Sequence, residues 1–178
     1  MDVPIGVQVY CKDELCGHST HVILDSTTNK VKYLVVEEEG PEQGHYLVPI
    51  EWLGASTPNK LVLQCSRDQM ARNMRSDDES APVDVTGTTL AHEDSPFSEL
   101  AVGQRAWVEA RGSYVGLVDE FLIDPGTCGV THVILHETHL WGSKRIVVPV
   151  SSILSIEENR VRLRLNIDGL EGLQAVPA

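Results

Sequence analysis

The stretch Gly17-His-Ser-Thr-His-Val-Ile-Leu-Asp25 has an echo in Gly116-Leu-Val-Asp-Glu-Phe-Leu-Ile-Asp124, with glycine, apolar run and closing aspartate in the same places. Working outward, Val31-Lys-Tyr-Leu-Val-Val36 is answered by Val130-Thr-His-Val-Ile-Leu135, again 99 residues on. Leu47-Val-Pro-Ile50 matches Val147-Val-Pro-Val150, and Asn59-Lys-Leu-Val-Leu63 matches Asn159-Arg-Val-Arg-Leu163, both at a spacing of 100. Upstream, Ile5-Gly-Val-Gln-Val-Tyr10 aligns with Val102-Gly-Gln-Arg-Ala-Trp107 at 97, which implies a turn insertion between the blocks. Blocks that keep one order, with length changes confined to turns, are the signature of an internal repeat.

Each block is a short aliphatic run bounded by Gly, Pro, Asn or Asp, which is how strands read. Val, Leu and Ile number 22, 18 and 9 in 178 residues, against 2 Phe, a composition that favours pleated, half-buried surfaces. The first copy predicts strands near 6–12, 18–25, 31–38, 45–50 and 60–65, with a short one at 51–54. The second predicts 104–111, 115–124, 130–137, 144–150 and 160–165, with a short one at 152–156. Asp25 and Asp124 each open a turn by accepting bonds from the backbone two residues on, and Asn59 and Asn159 suit positive φ. A helical turn is expected after each last strand, from Ser66, which can cap it, and from Asn166, where two glycines weaken it. The fold class expected is all-β: two tandem small antiparallel β-barrels, each with a short C-terminal helical turn, since closure removes exposed edges. The expected domains are 1–71 and 101–178, joined by a linker at 72–100 that carries two bases and seven acids.

The opening Ile5-Gly-Val-Gln-Val-Tyr10, the Gly17–Asp25 strand, Val31-Lys-Tyr-Leu-Val-Val36 and Val48-Pro-Ile50 resemble a PRC-barrel domain. That family includes the cytoplasmic part of the photosynthetic reaction-centre H subunit and the C-terminal domain of the ribosome-maturation factor. The second copy is similar, with Trp107 in place of the tyrosine and Val108-Glu-Ala-Arg-Gly-Ser113 in place of the usual turn. The resemblance covers both copies and implies an interaction module with no shared catalytic residue.

Charge narrows the partners. Acids outnumber bases 26 to 14, giving −12, which repels phosphate backbones, so nucleic acid is not expected. No apolar run reaches the ~18 residues of a membrane span, and no basic-then-apolar leader opens the sequence. A cytoplasmic protein is expected, and export by a route without a cleavable leader is compatible with the sequence.

Chemistry-bearing motifs are scarce. No nucleophile elbow, Walker loop or dinucleotide fingerprint occurs, so no catalytic residue and no cofactor is expected. Cys11 and Cys16 flank a turn and are a candidate disulfide, although the reduced state fits a chain without a secretion signal. Cys65 falls on the inward period of a strand and Cys128 in a loop, and C-x4-C without a second pair is no zinc motif, so no metal is expected. His132 and His136 share a strand face about 13 Å apart, too far to grip one metal, and His139 falls in a loop. Asp25 and Asp124 are read as turn residues and not as catalytic acids.

Contact surfaces are the stronger reading. Leu140-Trp141 is expected at a hairpin tip, where its counterpart Gly40-Pro-Glu-Gln-Gly44 lacks large apolar residues. Arg160, Arg162 and Arg164 alternate with Val161, Leu163 and Leu165 and stripe one strand face. Together with the acidic run Glu37-Glu38-Glu39, they are expected to form a barrel–barrel or subunit interface. The function expected is therefore non-enzymatic: an adaptor or protein-interaction module. A structural subunit that self-assembles into oligomers or filaments comes second, and a ribosome or RNA–protein assembly factor third.

Overall fold

The computed structural model describes residues 1–12, 14–25, 27–39, 44–73, 99–103, 106–139, 142–157, 159–173 and 175–176. The first repeat runs β1 (Asp2–Pro4), β2 (Gln8–Tyr10), β3 (Leu15–Asp25), β4 (Lys30–Glu37), β5 (His45–Pro49), β6 (Leu53–Thr57), β7 (Lys60–Leu63) and α1 (Arg67–Asn73). The second runs β8 (Glu99–Gly103), β9 (Trp107–Ala110), β10 (Ser113–Ile123), β11 (Val130–His139), β12 (Gly142–Pro149), β13 (Ile153–Glu157), β14 (Arg160–Leu163), α2 (Ile167–Glu171) and β15 (Ala175–Val176). A single 3-10 turn follows β5 and another follows β12. The chain is all-β with two small helices, as its aliphatic composition dictates.

Two sheets result. One orders its strands β5-β4-β3-β2-β7-β6 and the other β13-β14-β9-β10-β11-β12-β15. Most neighbours are antiparallel, but β7 lies parallel to β2 and β14 parallel to β9. These parallel pairs bring the last long strand of each repeat back beside its first hairpin.

The remaining strands, β1 and β8, are exchanged. β1 pairs with β10 of the second repeat, Val3 opposite Phe121, while β8 pairs with β3 of the first, Val102 opposite Val22. All four of these side chains are fully buried. The reciprocity extends to the turns, where Val31 N donates to Cys128 O and Val130 N to Asn29 O, each at 2.9 Å. Residues 31 and 130, like 29 and 128, are the same place in the two repeats, so a pseudo-twofold axis passes between these turns. Buried side chains of both repeats accordingly form one continuous core.

This geometry corrects two sequence expectations. Val9 faces Gly17 and Val108 faces Gly116, so the opening block repeats at 99 and needs no turn insertion. Glu99 and Leu100, assigned by sequence to the linker, belong to β8, whereas residues 74–98 of that linker lie outside the described residues.

The turns follow their sequences. Asp25 Oδ1 accepts from Thr27 N, Thr27 Oγ1 and Thr28 N, and these bonds hold its carboxyl down at about 2. Asp124 does the same with Gly126 and Thr127. Each turn closes on a residue of positive φ, Asn29 at 52° and Cys128 at 57°. Of Asn59 and Asn159, only Asn159 adopts positive φ, at 53°. Ser66 and Gln69 exchange bonds across the start of α1 as a capping box, and Asn166 caps α2 by accepting from Gly169 N.

Gly17 and Gly116 are indispensable for a different reason. Both have φ near +150°, and a Cβ on either overlaps a carbonyl oxygen of the neighbouring strand, Glu37 in one case and His136 in the other. Gly17→Ala and Gly116→Ala are each expected to cost about 3 kcal/mol, through backbone strain and forced separation of the strands. Urea denaturation checks this, and losses below ~1 kcal/mol would show that the strands part easily.

Candidate functional site

The outward face of β14, β9 and β10 gathers two exposed aromatic side chains of the second repeat. Residues on β9 alternate, Val108 and Ala110 buried, Trp107 and Glu109 outward. Parallel pairing sets Arg160 beside Trp107 and Arg162 beside Glu109. Antiparallel pairing sets Tyr114 beside Glu109. Trp107 and Tyr114 are 55% and 53% exposed and meet edge to face, with ring centroids 6.0 Å apart at 73°. In the first repeat this face carries Gln8, Tyr10 and Lys60, whose ammonium lies 3.9 Å from the Tyr10 ring.

Among the described residues, the carboxylates beside Arg160 and Arg162 belong to their own sheet. Arg160 Nε lies 3.7 Å from Glu109 Oε1 and Arg162 Nε 3.8 Å from Glu109 Oε2. Arg162 Nη1 also donates to Glu157 Oε1 at 3.1 Å. The strand register that aligns the stripe thus supplies its acids from β9 and β13 of the same sheet. These pairs are substantially exposed and stabilise by at most about 1 kcal/mol each. Arg164 differs, for its Nε donates to Ile153 O at 3.3 Å and no carboxylate pairs with it among the described residues.

Glu37, Glu38 and Glu39 are likewise used close to home. Glu38 accepts from the Tyr46 hydroxyl at 2.7 Å and from Arg67 of α1, tying that helix to the β4–β5 hairpin. Glu39 lies 3.1 Å from His18 Nδ1. Glu37 faces His18 and His45 in the strand register. Leu140 and Trp141 lie outside the described residues, between β11 and β12.

Cys11 and Cys16 are joined in a disulfide across the β2–β3 turn, Cα atoms 5.9 Å apart and both side chains buried. The sequence favoured free thiols here, but the hairpin register brings the two together. A loop this short contributes about 2 kcal/mol by the chain-entropy argument. Cys65 is buried, and burial and the nearby Glu51 charge push the Cys128 thiol up. His132 Nδ1 lies 3.1 Å from Thr131 Oγ1, and His136 faces Arg145 in the register. The His139 side chain lies outside the described residues.

One buried and one half-buried polar site mark the exchanged strands. Glu120, opposite Pro4 of β1, accepts from Arg145 Nη2 at 2.5 Å. Arg145 Nε lies 2.8 Å from Asp119 Oδ2 as an ion pair without hydrogen-bond alignment. The equivalent positions of the first repeat are His21, opposite Gly103 of β8, and His45. His21 Nδ1 is buried without a hydrogen-bond partner, and burial followed by the His45 charge lowers its pKa. An ion pair in one repeat thus stands where the other repeat has two histidines.

Sequence reasoning missed Trp107, Tyr114, Glu120 and Arg145. For Trp107 the period-two pattern with Glu109 was a usable signal, whereas the buried ion pair depends on strand neighbours far apart in sequence. Among the described residues, no three His, Cys, Asp or Glu side chains converge as a metal set, and no helix is long and apolar enough to cross a membrane. No family model and no curated protein matches the chain.

Proposed function

We propose that this chain is a non-catalytic protein-interaction module, two PRC-barrel-type repeats whose sheets curl into small barrels. The repeat, the parallel return of β7 and β14 to the first hairpins, and the exchanged strands support the architecture. The observation that carries the interaction reading is the exposed Trp107–Tyr114 pair flanked by Arg160 and Arg162. Trp, Tyr and Arg are the residues most enriched at binding hot spots, and rigid aromatic faces bind at little entropic cost.

Trp107→Ser/Tyr114→Ser is expected to abolish partner binding and leave the melting temperature close to wild type. Crosslinking of the full-length protein in native extract, quantified for wild type and variant side by side, checks this. Partners captured equally by both would move the interface off this face.

Self-assembly is the second reading, favoured by β13 and β6 ending the paths of their sheets and by Leu154, 56% exposed on β13. Sedimentation velocity across a concentration series separates the two readings, since only self-assembly raises the mass of the pure protein.

A further inference from the structure

The two repeats depart from the pseudo-twofold arrangement beside β13. Where β1 reaches the first repeat, it packs against β6 and β7. At the equivalent place in the second repeat, a groove of about 360 Å³ opens beside β13, within the size range of small-molecule sites. Its walls are Leu100, Val150, Ile153, Leu154 and Ile156, and Arg164 stands at its side.

Three residues of this groove change character between the repeats. At a spacing of 100, Leu154, Ile156 and Arg164 replace Gly54, Ser56 and Gln64. In the first repeat Gly54 is tight against the Gln64 side chain, leaving no room for a Cβ without movement. The first repeat thus forms its own β6–β7 pair without a large apolar residue or a cation here. The second presents an exposed leucine beside an arginine that no carboxylate neutralises among the described residues.

We propose that this groove binds a free acyl carboxylate, its chain along Leu154 and Ile156 and its head on the Arg164 guanidinium. Charge decides the class. One arginine, anchored through Nε to Ile153 O, lines the groove, enough charge for a single anionic head. A guanidinium fork matches a carboxylate, and the remaining polar lining, Asn29 and Ser155, is neutral. A polyphosphate would require several cations, and a cationic amphiphile would meet Arg164 unfavourably. This inference goes beyond the protein-interaction reading and does not depend on it.

Isothermal titration of the full chain with sodium decanoate tests the proposal, with decyltrimethylammonium as the charge control. Saturable binding of decanoate and none of the cation is expected. Leu154→Gly and Arg164→Gln, which install the first repeat's own residues, are each expected to weaken decanoate about tenfold or more with unchanged melting temperature. No saturable binding up to about 1 mM overturns the proposal, as does equal binding by both variants. A concentration-dependent dimer of the wild type, lost in Leu154→Gly without any decanoate present, also overturns it and assigns the groove to a second copy.

Discussion

Arg145→Ala is expected to destabilise the chain by about 3–5 kcal/mol at pH 8, and by clearly less at pH 5. Glu120 is only 3% exposed on β10, and Arg145 is its sole hydrogen-bonded counter-charge among the described residues. Removing the guanidinium leaves a buried carboxylate with Asp2 and Asp119 close by, which no rearrangement of a packed sheet hydrates cheaply. Burial, then the Asp2 charge, already raises the Glu120 pKa, while the Arg145 bond and charge oppose that rise. With the opposition gone, the carboxyl titrates higher still. A raised carboxylate pKa means that the native state binds the extra proton, so stability is gained as pH falls through the folded value towards the unfolded one. The variant therefore recovers on acidification. Urea denaturation of wild type and variant at both pH values gives the difference, and a cost independent of pH would refute the buried-carboxylate account.

The wild type carries an opposing contribution in its other half. His21 has a lowered pKa, so below about pH 6.5 the unfolded chain takes up a proton that the native state resists. Stability from this site is complete above that pH and falls as acid is added. His45 and Glu37, on the strands packed beside it, act in opposite senses on the same ring. Subtracting wild type from Arg145→Ala at each pH cancels the histidine contribution and isolates Glu120.

How far these features were legible in sequence depends on how local they are. The glycine–apolar–aspartate repeat was legible because Gly17, Gly116, Asp25 and Asp124 act within one turn or across one adjacent strand. The helix cap at Ser66 was legible for the same reason. The strand exchange was not. β1 is three residues long and ends in proline, so it shows no period, and Val3 looks like any aliphatic residue near a terminus. The arginine stripe was legible as a face, but its acids arrive through β9 lying parallel to β14, a pairing between residues some fifty apart. Alternation tells which way a side chain points, and only topology tells what it meets.

Residues 1–73 expressed alone are expected to fold only as a dimer. In the full chain, the outer edge of β3 is covered by β8, with Val102 opposite Val22 and Leu100 opposite Leu24. A fragment without β8 exposes that edge together with the buried face of Val22 and Leu24, and a module this small is marginal even when complete. The fragment still holds a strand of the right kind. β1 makes on β10 the same pairing that β8 makes on β3, Val3 standing where Val102 stands at a spacing of 99. Two fragments can therefore each lend β1 to the other's β3 and restore both edges across a true twofold axis, an isologous and self-closing contact. Light scattering after size exclusion should give twice the fragment mass, with a thermal midpoint that rises with concentration. Val3→Asp, which places a charge at a fully buried position, should leave the fragment unfolded and monomeric. A stable folded monomer would mean that the exchanged strands decorate two independent units, and the shared core would then have to be read as a late contact between them.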